Sequence, residues 1–152
     1  MTAVDLLREL GVKTGLGALE LDRNGLCQLV FDGDLRVEFE APAGGSSFWL
    51  AAAVARLPAS AGSDFYRELL EANLMGRGTG GAALAVDPDR GEVVLWQRLD
   101  ADRTDFPLFE RELEAFLNSL DVWKERLDQG DRGHGAIEPP ALPPDRLFLI
   151  RG

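Results

Sequence analysis

The chain has 152 residues, a length that predicts one domain around one hydrophobic core. Hydrophobic residues make up 45% and charged residues 28% of the chain, which excludes a wholly disordered protein. Sixteen basic and 26 acidic residues leave a formal charge of −10, which disfavours binding to nucleic acid and to anionic membranes.

The cysteine and histidine content excludes several kinds of site. Cys27 is the single cysteine and His134 the single histidine, so no intrachain disulfide and no zinc or iron–sulfur site can be built from them. Charged residues interrupt the apolar N-terminus, and the longest uncharged run, residues 41–55, is shorter than the ~20 residues of a membrane helix. We therefore expect a cytoplasmic protein that holds no metal and does not insert into a membrane.

The first predicted element is a short amphipathic helix. Thr2 is typical of a helix cap, Asp5 stands where it completes that cap, and Gly11 is expected to end the helix.

Strand-like runs at 16–21, 26–31 and 35–40 follow the helix. Turn sequences separate them, Arg23-Asn24-Gly25 and then Asp32-Gly33-Asp34, and favour an antiparallel meander. Apolar and charged residues alternate in the third run, which predicts a sheet with one covered face and one face in solvent.

The middle of the chain contains an ambiguous run and a second helix. Alanines in residues 48–57 favour a helix, whereas the flanking glycines and proline favour a strand, which we prefer. Ser63-Asp64 is expected to cap a helix from Phe65 to about Met75. This helix is apolar on two sides, so it needs two partners, of which a second copy of the chain is the simplest.

A second hairpin and a long helix complete the predicted domain. The strands are Ala82–Asp87 and Glu92–Asp100, and Asp105 is expected to cap the last helix. The order α-β-β-β-α-β-β-α, with a possible further strand at 48–57, predicts an α+β fold with a twisted antiparallel sheet. Residues 1–127 form the predicted domain, and the Gly- and Pro-rich residues 128–152 are expected to be a flexible tail whose apolar end, 147–150, could dock.

Few patterns in the sequence favour catalysis. Residues 76–81 read G-x-G-x-x-G, but they follow a helix and precede a strand, the reverse of a nucleotide-binding loop. His134 lies between glycines in the tail, and Cys27 lies among apolar residues of a strand, so a nucleophilic pair is not indicated. A small enzyme of unknown chemistry is therefore a distant alternative.

The order and spacing of the hydrophobic patterns resemble the class I type III secretion chaperones, the CesT/Tir chaperone family. The resemblance covers about residues 1–127. It rests on Leu6-Leu7, Leu10-Gly11, residues 26–31, 69–74 and 80–87, Gly91 to Leu95, Phe116-Leu117 and Trp123.

This resemblance implies a homodimer in the bacterial cytoplasm with no cofactor and no catalytic activity. Such a protein binds the N-terminal chaperone-binding segment of secreted effectors, keeps it competent for export and delivers it to the virulence-associated secretion apparatus and its ATPase. A regulatory chaperone of the same fold, which binds a transcriptional regulator or its partner, is the alternative.

The resemblance also implies two sets of binding residues. The first helix and the meander are expected to contact the effector through Leu7, Leu10, Leu29, Phe31, Val37 and Phe39. The second helix and one strand residue are expected to form the dimer contact through Leu69, Leu70, Asn73, Leu74 and Trp96.

Overall fold

The computed structural model describes residues 1–131 and 148–150. The helices are α1 (Ala3–Thr14), α2 (Ser63–Ala72) and α3 (Phe106–Asp131), and short 3-10 turns span Leu74–Gly76 and Ala101–Arg103. The strands are β1 (Leu26–Phe31), β2 (Leu35–Glu40), β3 (Ser47–Arg56), β4 (Ala83–Asp87), β5 (Glu92–Asp100) and β6 (Phe148–Ile150). The predicted α+β class is confirmed. Three strands precede α2 as expected, but the third is β3 and not the predicted strand at residues 16–21, and one short strand follows α3.

The strands form one sheet in the order β4-β5-β3-β2-β1-β6. All pairs from β4 to β1 are antiparallel, whereas β6 runs parallel to β1. The ambiguous run at 48–57 lies in β3, which confirms the preferred strand, and its register with β5 shifts between Ala53 and Ala55. The meander therefore consists of β1, β2 and β3.

The predicted strand at residues 16–21 is wrong. This segment is irregular, because Gly15 and Gly17 adopt positive φ angles of 74° and 81° that a strand does not tolerate. The Leu16 N–H donates to the Gly11 carbonyl at 2.9 Å, and Leu19 is fully buried. The segment thus packs on α1, so Arg23-Asn24-Gly25 does not join two strands.

Helix α1 does not end at Gly11 as predicted, and Gly11 packs closely against the chain that returns after the helix. The helix continues to Thr14 and is capped by Gly15, while a Cβ on Gly11 would overlap the Gly17 carbonyl oxygen. Gly11 is therefore a contact point for the returning chain. The predicted cap at the other end is confirmed, since Thr2 and Asp5 form a capping box.

The ends of the other two helices differ in how well they were predicted. Gly62, and not Ser63, is the N-cap of α2, which ends at Ala72. Asp105 caps α3 as expected, because its carboxylate accepts the Leu108 N–H at 2.8 Å. Helix α3 continues to Asp131, past the expected domain boundary at 127, and most of the predicted tail, with His134, lies outside the described residues.

The core lies between the sheet and the two helices α1 and α3. Phe109 is at its centre, with ring centroids of Phe39, Phe48 and Phe106 at 6.4, 5.8 and 6.1 Å. Lys13 of α1 forms a 2.5 Å ion pair with Glu110 of α3 at the edge of this core. One face of the sheet is thus covered by helices.

Candidate protein-binding surfaces

The residues predicted to contact an effector all lie in the core. Leu7, Leu10, Leu29, Phe31, Val37 and Phe39 are each at most 7% exposed. The physical reason is strand parity: the odd-numbered residues of β1 and β2 point toward the covered face of the sheet, where α1 and α3 pack. These six side chains pack the monomer. A partner that approaches the opposite face of the sheet meets the even-numbered residues of β1 and β2.

The opposite face of the sheet, called the outer face below, carries a groove of about 510 Å³. Residues of two strands, Ala51 and Ala53 of β3 and Val94 of β5, give it apolar lining. Gln28 of β1 donates to Glu38 of β2 at 2.8 Å along its side. The charged residues that line it are four acidic and two basic: Glu38, Asp87, Asp89, Glu92, Arg36 and Arg90. The groove thus combines apolar lining with a net negative charge.

No pattern in the sequence pointed to the groove residues, because alternation does not reveal which parity faces the helices. Alanines such as Ala51 and Ala53 are also weak indicators of a binding surface. Only the positions of α1 and α3 decide which residues line the groove.

An exposed apolar stripe lies on α2 and the 3-10 turn that follows it. We call Tyr66, Leu70, Leu74 and Met75 the α2 stripe; Leu70 is 69% and Met75 82% exposed. The first three are spaced at i, i+4 and i+8, and this spacing is the signal that identifies Tyr66, which was not among the predicted dimer residues. Trp96 is exposed on β5, which pairs with β4, the strand that contacts α2.

Two other predicted dimer residues have contacts within the chain. Leu69 is buried in the core. The Asn73 amide nitrogen donates to the Leu84 carbonyl at 2.9 Å, and the Leu84 N–H donates to the Asn73 Oδ1 at 2.7 Å. Because β4 is the last strand on that side of the sheet, Asn73 occupies main-chain groups that a further strand would need.

The G-x-G-x-x-G segment contacts α3. The Trp123 indole N–H donates to the Gly78 carbonyl at 2.8 Å, and the buried Thr79 hydroxyl donates to the Ala82 carbonyl. A Cβ on Gly80, whose φ is +61°, would lie 2.5 Å from the Ser119 hydroxyl oxygen. The glycines therefore permit a tight helix-to-strand connection.

The ionisable groups of the described residues bear on whether this part of the chain has a reactive thiol or a metal site. Burial, and then the charge of Asp22, raises the pKa of the Cys27 thiol to about 11, so this thiol is protonated at neutral pH. Within residues 1–131 and 148–150, no three Cys, His, Asp or Glu side chains are grouped as metal ligands. No helix in that part of the chain is long and apolar enough to cross a membrane.

Comparisons with known proteins identify the family to which the chain is similar. A family model described as the Tir chaperone protein (CesT) family matches residues 5–124. A Chlamydia pneumoniae protein is 34% identical over 113 residues, which are 74% of this chain and 85% of that protein.

Solved structures agree with this family assignment. The ExsC–ExsE complex contains a chain that matches with a TM-score of 0.68 and 25% identity, covering 82% of this chain and 96% of that chain. The Yersinia pestis type III secretion chaperone SycH, solved with a fragment of YscM2, matches with a TM-score of 0.63 and 22% identity, covering 80% and 99% of the two chains. The sequence match, which spans α1 to most of α3, and the shared fold lead to one conclusion: the chain belongs to the Tir chaperone protein (CesT) family.

Proposed function

We propose that the protein is a bacterial cytoplasmic type III secretion chaperone that binds the N-terminal segment of one or more secreted effectors. It holds this segment extended and competent for export, and delivers it to the secretion apparatus. The observation that carries the proposal is family membership over residues 5–124. The similarity to SycH, which was solved with a bound fragment of another protein, supports a role in binding protein segments.

The outer-face groove is the proposed effector surface. An extended segment has apolar side chains on alternate positions, and the lining of Ala51, Ala53 and Val94 can accept them. The excess of acidic groups around the groove, in a chain with a net charge of −10, favours a segment with basic residues. Main-chain hydrogen bonds and apolar contacts suffice for such binding, so the proposed role requires neither a catalytic group nor a cofactor.

The proposed dimer uses the α2 stripe. Leu70, Leu74 and Met75 are adjacent apolar side chains in water, and a second copy related by a two-fold axis would cover them with the same residues. Trp96 adds an exposed aromatic side chain on β5. Two copies would carry a charge of 2 × −10, or −20, which keeps the complex soluble.

The first test of the proposal is affinity purification of the tagged full chain from its host, with mass spectrometry and the mass of the eluted complex. The expected result is two copies of the chain with one secreted protein. A chain that elutes as a lone monomer contradicts the proposal. Recovery of a transcriptional regulator in place of a secreted protein would indicate that the protein functions in gene control.

The second test locates the effector on the chaperone. Ala53→Trp places a large side chain in the groove at an exposed strand position, where an aromatic residue is tolerated. We expect affinity for the recovered effector to fall at least about tenfold, because the apolar lining is no longer accessible. Ala43→Trp, an equal change at an exposed loop position outside the groove, is the control. Equal affinities of both variants would mean that the effector does not bind to the outer face.

A further inference from the structure

The two edges of the sheet are both occupied. On one side, the Asn73 side chain takes the Leu84 N–H and carbonyl of β4. On the other side, β6 pairs with β1 in parallel, with Phe148 opposite Leu29 and Ile150 opposite Phe31. A sheet edge offers unpaired main-chain groups to any extended segment, so an edge strand is either covered or prone to unwanted pairing. In this chain a side chain covers the first edge, and a segment of the chain's own C-terminal region covers the second.

Val30 provides a second observation at the β1 edge. It has the parity of the outer face and is not part of the core between the sheet and the helices, yet it is only 2% exposed. The residue opposite Val30 in the register is Leu149. Neighbouring Gln28, which has the same parity but no partner in β6, remains partly exposed. On the outer face, β1 is thus hidden from solvent at the residue that pairs with β6 and partly exposed at the residue that β6 does not reach.

We propose that Phe148–Ile150 is an internal occupant of the β1 edge, which an effector strand must displace in order to pair there. The idea that the displacing segment belongs to an effector rests on the proposed function, whereas the occupation of the edge by β6 does not. Asn73 takes the main-chain groups of Leu84 at the β4 edge, whereas β6 pairs along β1, so β6 and a client strand that adds to β1 compete for the same main-chain groups.

The sequence around β6 suits this role. The apolar residues of the segment are flanked by Arg146 and Arg151 in an otherwise acidic chain. Ile150 is followed by Arg151, and its partner Phe31 is followed by Asp32, so opposite charges follow the paired residues in the two sequences. A short apolar segment with basic flanks has the same character that the acidic outer face favours in a client.

The covalent connection makes the competition effective although only three residues pair. Sixteen residues join α3 to β6, and fully extended they reach about 53–58 Å, enough for the segment to return to the sheet. A segment held by such a connection competes as if it were present at a concentration of the order of mM. If β6 is paired in about two thirds to nine tenths of the molecules, the affinity for a client that needs the edge is reduced about three- to tenfold.

Amide hydrogen exchange of the full chain tests the occupation of the edge without any client. Leu149→Pro removes a main-chain N–H and prevents the strand, while Ala141→Pro is the same kind of change in the preceding connection. We expect the β1 amides that do not bond to β2 to exchange at least about tenfold faster in Leu149→Pro than in the wild type or the control. A synthetic peptide of residues 145–152 should bind the Leu149→Pro variant and slow this exchange again.

Equal exchange of β1 in all three proteins would overturn the proposal. The wild type supplies a measurement that requires no variant: the amides of residues 148–150 should exchange more slowly than the same amides in the free peptide. Exchange as fast as in the peptide also overturns it.

The competition itself is measured with the effector recovered by purification. Leu149→Pro should bind it about three- to tenfold more tightly than the wild type, and Ala141→Pro should match the wild type. Equal affinities with altered exchange overturn the competition but leave the proposed function intact. Failure of every variant to bind a secreted protein contradicts the proposed function, while the exchange result still decides whether β6 occupies the edge.

Discussion

Substitution of Leu70 by aspartate tests the proposed dimer surface while leaving the monomer core untouched. Leu70 belongs to the α2 stripe and is 69% exposed, so its replacement removes little packing within one chain. Surface substitutions of this kind change the free energy of unfolding of a monomer by about 0.5 kcal/mol or less. The effect should therefore appear in association and not in the fold of the chain.

The expected magnitude follows from the area that remains to be buried. Full burial of a leucine side chain contributes about 1.5–3 kcal/mol, so the exposed 69% of Leu70 retains about 1–2 kcal/mol. A two-fold dimer contains the substitution twice, which gives about 2–4 kcal/mol, or a dimer dissociation constant about 30- to 900-fold higher. The cost of removing the new carboxylate from water adds to this loss.

Analytical ultracentrifugation over a range of concentrations measures the dissociation constant, and circular dichroism reports the fold. Val12→Asp is the matched control, because Val12 is 71% exposed on α1, outside the α2 stripe. We expect Leu70→Asp to be a folded monomer at concentrations where the control is a dimer. A Leu70→Asp protein that dimerises as tightly as the wild type would refute the interface, and so would equal weakening by both substitutions.

Three further predictions concern local contacts. Asn73→Leu leaves the Leu84 N–H and carbonyl without their partner, and we expect chemical denaturation to show a loss of about 2–4 kcal/mol, against a small change for the exposed control Asn118→Leu. The buried Cys27 thiol, whose pKa is raised from 9.0 to about 11, should react with Ellman's reagent at pH 8 at least about tenfold more slowly in the folded chain than in guanidinium. Hydrogen bonds from Thr2, first from its backbone N–H, lower the pKa of Asp5 below 3.8, so the stability difference between the wild type and Asp5→Asn should be present at pH 7 and vanish as the pH falls through the lowered value.

The same measurements can contradict these predictions. An Asn73→Leu protein as stable as the control would mean that water replaces the amide at the β4 edge. For Cys27 the sign is opposite to that of a carboxylate held in its charged form: the unfolded thiol ionises first, so stability should be lost as the pH rises from about 9 to about 11. A wild type whose decline in this range equals that of Cys27→Ala would refute the burial argument. A difference between the wild type and Asp5→Asn that persists in acid would assign the effect to something other than the capping box.

Several elements that were predicted correctly from the sequence have local signals. The capping box of Thr2 and Asp5, the Asp105 cap and the Asp-Gly turn between β1 and β2 all depend on residues close in sequence. The strand at 16–21 was wrong because alternation of apolar residues does not reveal that Gly15 and Gly17 have positive φ and that Gly11 admits the returning chain. The packing of this segment on α1 determines its conformation.

The exposure of the predicted binding residues was harder to predict, for a related reason. Phe31 and Phe39 are large and apolar, and the sequence does not distinguish a side chain that packs under α3 from one that faces a partner. Leu70 and Leu74 were assigned to the dimer contact because a helix with apolar residues on two sides must cover both, and both side chains are exposed on the monomer. This requirement acts within a single element. Whether the six strand and helix positions assigned to an effector are exposed could be predicted only with knowledge of which face of the sheet the helices cover.

The three tryptophans lie in environments that differ enough to make the intrinsic fluorescence of this protein informative. Trp123 is enclosed, with its indole bonded to the glycine segment and the Arg126 guanidinium 4.7 Å from its ring, so its emission should change only when the chain unfolds. Trp96 is 39% exposed on β5, opposite Ala51 of β3, and Trp49 is half-buried, so their emission depends on what covers the sheet. Emission that moves to longer wavelength on dilution, before any loss of helical signal, would thus report the separation of two copies without a label.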